Sequence, residues 1–332
     1  MSFSVTDLPS PRFRINRHRW LAWIGSGLAC LLSIVGLVLC WLHPSIRSPL
    51  KPGLDFTGGT QILVVRQCGS PAAGSAAPDP ACGAITAPEI QRTVAALNLR
   101  ATGQEQAPNL GSTSVQVLDK GRSLLLRLPA LSADQAATVL DTIDQQFGPL
   151  QTSGTAIDTI GPTLGSRLLQ GSVISLLVSF VAIAAYISFR YSGVFAFLAL
   201  VCLAHDVLIT CGLFAWLGLL KGIEVDSLFA VSLITVAGYS VTDTVVVFDR
   251  IREQSKALAH LPLTEQVDVA VDATLTRSLY TSFTTLLPLV ALIFFGGSTL
   301  FWFAVALTVG IAVGSWSSIG IAPTLLPLLT SR

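Results

Sequence analysis

The chain has 332 residues, of which 52% are hydrophobic and 12% charged, and its formal net charge is +1. That balance is the composition of a polytopic membrane protein, and it excludes a partner held by bulk charge such as nucleic acid. Six apolar windows are long enough to cross a bilayer as helices of about 20 residues: 21–42, 168–189, 194–220, 225–248, 275–295 and 301–329.

In chain order, residues 1–20 form a basic segment carrying Arg12, Arg14, Arg17 and Arg19. The first span, 21–42, is too long for a signal-peptide core and has no small-x-small cleavage site, so it is read as retained. The polar stretch 43–167 follows. Residues 60–67 are apolar and β-branched, a strand. Thr86-Ala87-Pro88-Glu89 has the form of a capping box with Pro in the first turn. Residues 114–118 and 123–128 alternate as two strands around the turn Asp119-Lys120-Gly121. Ser132-Ala133-Asp134-Gln135 is a second capping box, and Ala137, Val139, Leu140, Ile143 and Phe147 give its helix an apolar face. Residues 150–160 read as a last strand. The order β-α-β-β-α-β predicts a ferredoxin-like α+β domain between spans one and two.

Cys68 and Cys82 bracket a Gly/Ala/Pro/Ser-rich stretch, 69–81, that reads as a flexible insertion. Either a disulfide at its base or two free thiols is compatible with an external location. Cys30, Cys40, Cys202 and Cys211 fall in the spans and read as packing residues. Gly58-Gly59 reads as a tight turn into a strand. Spans two to six occupy 168–332, with a loop at 249–274; Gly310, Gly314 and Pro323 are expected to kink or shorten the last span. Basic residues in the short loops (Arg190; Arg250, Arg252 and Lys256; Arg332) join the N-terminal arginines in placing both termini and the 249–274 loop in the cytoplasm, with 43–167 outside.

The chemistry lies in the spans. Asp243 sits in an otherwise lipid-compatible helix, where a charge costs at least a few kcal/mol and by default marks a proton or ion site. Ser232, Thr235, Tyr239 and Asp243 recur at offsets of three and four, which predicts one polar stripe on that helix. Arg277, Thr281, Thr284 and Thr285 repeat the spacing on span five, and His205-Asp206 lies near the middle of span three. Asp243 and Arg277 are expected to approach each other on the cytoplasmic side, with Asp206 deeper. An acid that alternates between an arginine neighbour and a desolvated site can take up and release a proton as helices move. The competing expectation is a static interhelical pair that orients the bundle. Gly238 is expected to allow close approach of a neighbouring helix. There is no Walker-type phosphate loop, no H-E-x-x-H and no C-x-x-C pair, and the four His are scattered, so neither a metal nor another cofactor is expected.

At these residues the chain resembles the SecF family, six-span accessory subunits of the general protein-export machinery. The resemblance rests on Gly53-Leu54-Asp55-Phe56-Thr57-Gly58-Gly59-Thr60 after the first span, on Ile160-Gly161-Pro162-Thr163-Leu164-Gly165, and on Leu203-Ala204-His205-Asp206-Val207. It rests equally on the block 238–253, on Arg277-Ser278-Leu279-Tyr280-Thr281-Ser282 and on Phe295-Gly296-Gly297. The resemblance implies half of a resistance-nodulation-division (RND) bundle in the plasma membrane, completed by the related partner SecD. It implies a non-enzymatic role, with the proton motive force aiding polypeptides that leave the SecYEG channel. In the family the acid of the Gly-Tyr-Ser block and the span-five arginine serve proton use; here these are Asp243 and Arg277. Where the family has Asn before the acid, this chain has Thr242, whose hydroxyl could hydrogen-bond Asp243. Two other classes use overlapping residues: a proton-driven small-molecule exporter of RND type, and an intramembrane aspartyl protease with Asp206 and Asp243 as its acid pair.

Overall fold

The computed structural model describes residues 13–67, 85–99, 108–118, 121–151 and 154–330. Cys68, Cys82, the insertion 69–81 and residues 119–120 of the predicted turn lie outside these. The chain divides into two compact units, one of Met1–Pro52 with Gly171–Arg332 and one of Gly53–Gln170.

The second unit is α+β. It opens on a single helical turn, α2 (Leu54–Thr57), and continues through β1 (Gly59–Val65), α3 (Ala87–Ala95), β2 (Ser114–Leu118), β3 (Ser123–Leu128), α4 (Ala133–Phe147) and β4 (Ala156–Ile160). The sheet order is β2-β3-β1-β4 with every neighbouring pair antiparallel, which is the split βαβ topology expected from the strand and helix pattern. Alternation puts Ile62, Val64, Leu124 and Leu126 on one face, where Ile90 and Val94 of α3 and Val139 and Ile143 of α4 close the core. Gly58 (φ 70°) and Gly59 (φ 132°) make the turn from α2 into β1. A Cβ at Gly59 would stand 2.6 Å from the Leu128 carbonyl oxygen, so both conformation and space demand glycine there.

Two expectations for this unit change in detail. The capping box at Ser132 forms in full, with Gln135 returning the bond, whereas Thr86 caps α3 without a side-chain hydrogen bond. The last strand is shorter than 150–160. Arg66, buried beyond the end of β1, donates to the Phe147 carbonyl (2.8 Å) and the Gly121 carbonyl (3.0 Å) and holds the neighbouring loops in place.

The first unit is helical. Among the described residues, six helical segments are long and apolar enough to cross a membrane. They are α1 (Arg19–Leu42), which follows a short 3₁₀ turn, α5 (Pro162–Arg190), α6 (Gly193–Lys221), α7 (Ser227–Ser255), α8 (Leu263–Phe295), and the pair α9 (Gly297–Gly320) and α10 (Ala322–Thr330). α6, α7 and α9 are the most buried and form the centre, around Leu198, Cys202, Ala237, Val247 and Phe248. α1, α5 and α8 instead expose rows of Leu, Ile, Val and Phe, surface that suits lipid or another apolar helix.

The 249–274 loop contracts. α7 runs on to Ser255 and α8 already starts at Leu263, because the charged residues 249–255 continue the helix past the apolar window. Asp268 in this early turn of α8 is buried and accepts bonds from the Asn16 backbone (3.0 Å) and side chain (2.9 Å), which ties down the segment before α1. The last span breaks at Ile321, between Gly320 and Pro323, and not at Gly310 or Gly314. Gly310 and Gly314 serve close packing instead: a Cβ at Gly310 would stand 2.2 Å from a Val236 methyl. Gly238, the expected contact glycine, has nothing within 4 Å of its Cβ position.

Candidate functional site

One cluster of buried polar residues in the helical unit lies where α6, α7, α8 and α9 meet. α7 is started by Asp226, whose side chain accepts from the Phe229 amide (2.9 Å). Four turns on, Asp243 is 7% exposed. Its Oδ1 accepts a 2.5 Å bond from Ser278 Oγ on α8, while its Oδ2, also buried, has no partner among the described residues. Burial with a single bonded oxygen is a costly setting for a carboxyl charge.

Asp243 also lines a small cavity of about 70 Å³ with Tyr239, Thr242, Val246, Arg277 and Thr281. Asp243 and Arg277 therefore line one space. No ion pair joins them among the described residues, and Arg277 is exposed. They are neighbours across a cavity and not a closed bridge.

Asp206 is fully buried, one α7 turn away at the level of Ser240. Its Oδ2 accepts from Ser240 on α7 (2.5 Å) and from Ser317 on α9 (2.8 Å), and its Oδ1 lies 2.8 Å from Nδ1 of His205. Asp206 and Asp243 share no donor. The next hydroxyls along α9 extend the network: Ser318 bonds Thr244 (2.8 Å), and Ser315 bonds Ser282 (2.5 Å), which in turn accepts from Tyr239 (3.0 Å).

The predicted stripe on α7 divides in two. Ser232 and Asp243 are buried, but Thr235 is exposed and bonds back to the Val231 carbonyl, and Tyr239 lies at the edge. The buried polar line is Ser240, Asp243 and Thr244. At 100° per residue Thr235 lies about 60° to one side of Ser232, while Ser240 and Thr244 lie about 80° and 120° to the other, so the inward direction falls on the Ser240 side of the stripe. Thr242 donates to the Gly238 carbonyl (2.8 Å), not to Asp243. Thr281, Thr284 and Thr285 likewise satisfy themselves on their own helix. The helix supplies the acceptor four residues back, which a short hydroxyl reaches more easily than a side chain on another helix. The motif residues Asp55, Gly58 and Gly59 belong to the α+β unit, in the turn before β1.

The residues missed by spacing are serines: Ser278 and Ser282 on α8, and Ser315, Ser317 and Ser318 on α9. The sequence does carry one signal for them, the dense run Ser315-Trp316-Ser317-Ser318 inside an otherwise apolar helix.

Comparison with known proteins gives a consistent family. The model described as protein export membrane protein SecD/SecF, C-terminal, matches residues 139–332, and that of the SecD/SecF GG motif matches residues 47–67. Protein translocase subunit SecF of Prochlorococcus marinus is 50% identical over 329 residues, 99% of both chains. The SecF subunit of Synechocystis is 40% identical, covering 94% of this chain and 93% of its own. The crystal structure of SecDF from Thermus thermophilus superposes on all of this chain with a TM-score of 0.75 at 28% identity, and this chain spans 40% of its length. The folded helical unit, its acid-bearing α7 and the glycine turn after α1 are thus those of a multi-pass membrane protein that belongs to the SecF branch of the SecD/SecF family.

Proposed function

We propose that this chain is an accessory subunit of protein export that lets protons through the membrane at Asp243 and turns that flow into helix movement in aid of a translocating polypeptide. The observation that carries the reading is Asp243 itself: buried, held by Ser278 through one oxygen, unpartnered at the other, and on the wall of a cavity shared with Arg277. Such an acid can bind a proton without a counter-ion and lose it toward a cation across a gap. The membrane potential supplies about 2.3 kcal/mol per charge per 100 mV.

The exposed apolar faces of α5 and α8 fit a second, related helical bundle, and the SecDF chain of Thermus thermophilus carries such a combination in one polypeptide. A SecD-type partner completes the membrane unit in this reading. The SecYEG channel and the emerging preprotein are the further partners, the plasma membrane is the site, and both chain ends lie in the cytoplasm. The protein acts without catalysing a covalent step. An aspartyl protease is a weaker reading, because Asp206 and Asp243 have separate donors and no shared hydrogen bond. A small-molecule exporter is weaker too, given a family whose relatives are named translocase subunits.

The test is Asp243→Asn, which keeps the oxygen that accepts from Ser278 and removes the titrating proton. Subunit abundance should be unchanged, and the stimulation of preprotein export by an imposed proton motive force should disappear. Parental stimulation in that variant rejects the reading.

A further inference from the structure

The two buried acids are built differently, and that difference assigns them different tasks. We infer that Asp206, oriented by His205, is a positioning residue that fixes the rotation of α7 and thereby places Asp243 on Ser278; the inference rests on the proton-coupled reading of Asp243.

A carboxyl that trades protons needs an oxygen free to receive one. Asp243 has such an oxygen. Both oxygens of Asp206 are engaged, by Ser240 of α7, Ser317 of α9 and His205 of its own helix, and the residue is fully buried. Three donors on three helices make a staple. Gly314 of α9 packs beside this group, its Cβ position 3.3 Å from the Ser240 Cβ and 3.4 Å from Asp206 Oδ2. Nδ1 of His205 meets the carboxyl at 2.8 Å, and its Nε2 has no partner among the described residues.

The staple acts on the site through α7. Ser240 precedes Asp243 by three residues, about 4.5 Å along the axis. A rotation of α7 by about 20° would move a carboxylate at the edge of the helix by about 2 Å. That displacement breaks a 2.5 Å bond to Ser278. α9 restrains α7 a second time where Ser318, next to Ser317, meets Thr244, next to Asp243 (2.8 Å). The groups that face Asp243 from the packed helices are Ser278 and Arg277 on α8 and Ser318 on α9.

The experiment uses the full chain with its partner subunit in energised vesicles. It compares Asp206→Asn, His205→Asn, Asp206→Ala and the double variant Ser240→Ala/Ser317→Ala. Two quantities are read: proton-driven preprotein export, and the pH midpoint of the Asp243 carboxyl infrared band, identified by its loss in Asp243→Asn. Asn at 206 keeps an oxygen for both serines, and Asn at 205 keeps an N–H near the Nδ1 position, so these conservative variants should restore both readouts. Asp206→Ala and the double serine variant should lower export about tenfold or more and move the midpoint by about one pH unit or more. An unmoved midpoint in both of these overturns the inference. So does loss of export in Asp206→Asn with the midpoint unchanged, which would make Asp206 a proton carrier. Should Asp206→Ala fail to accumulate, the double serine variant decides alone, because it leaves the acid in place. Normal export in Asp243→Asn would instead defeat the proton-coupled reading, and the midpoint, which needs no export, would still judge the staple.

Discussion

Replacing Gly310 by Ala places a methyl where α9 crosses α7, the interface that carries the polar network. The new Cβ would lie 2.2 and 2.8 Å from the two methyls of Val236 and 3.1 Å from its Cβ. Turning χ1 of Val236 can remove the first two clashes, at the cost of leaving the rotamer that about 90% of helical valines adopt. It cannot remove the third, because Cβ does not move with χ1. Carbon atoms pack at about 3.5–4.0 Å, so the helices must part by roughly 0.5 Å whatever the side chain does. Overpacking of this kind costs about 1–3 kcal/mol. Gly238→Ala is the matched control, the same chemical change on α7 at a position with nothing within 4 Å. Any gain in helix propensity, up to about 1 kcal/mol, is common to both and cancels. The two variants should therefore differ by about 1–3 kcal/mol, with Gly310→Ala the less stable. Tryptophan fluorescence during unfolding in detergent measures this selectively, because Trp20, Trp23, Trp41, Trp216, Trp302 and Trp316 all lie in the helical unit. Equal midpoints for the two variants, or the reverse order, would refute the packing argument and with it the close α7–α9 approach on which the serine contacts depend.

Three further outcomes follow from the site. Ser278→Ala removes a hydroxyl held 2.5 Å from Asp243 and leaves a buried carboxyl poorer by one donor; a loss of about 1–3 kcal/mol is expected in the same fluorescence assay, and an unchanged midpoint would mean that the bond contributes nothing. Thr242→Ala removes a hydroxyl that serves only its own helix, so stability should change by less than about 0.5 kcal/mol and export should be normal; a clear export defect would show that Thr242 tunes the acid after all. Arg277→Ala should leave subunit abundance unchanged, since the side chain is exposed and closes no ion pair among the described residues, while reducing proton-driven export. A variant whose single defect is low abundance would remove Arg277 from the proton path.

Much was determined by local chemistry and needed no folded structure to see. Hydropathy marks all six spans because a bilayer requires about 20 apolar residues to satisfy the backbone within one helix. Period-two alternation and a Ser-x-x-Gln box mark the strands and α4, because each depends on residues within four positions of one another. Asp243 announces itself by being an acid in an oily segment. What the tertiary structure alone decided is which side of each helix faces inward. Thr235 and Ser240 differ by five residues on one helix, yet one is exposed and back-bonded while the other is buried on Asp206. Gly238 and Gly310 look alike in sequence, and only the second meets a neighbouring helix. In an amphipathic soluble helix, water sorts polar from apolar and so writes the inward face into the pattern. In a bilayer both lipid and core accept apolar residues, so that contrast is lost, and a threonine can hide its hydroxyl on its own backbone. The inward face is then set by the fit of small residues and by hydrogen bonds between helices distant in sequence, such as Asp206 to Ser317, and these exist only once the bundle has assembled.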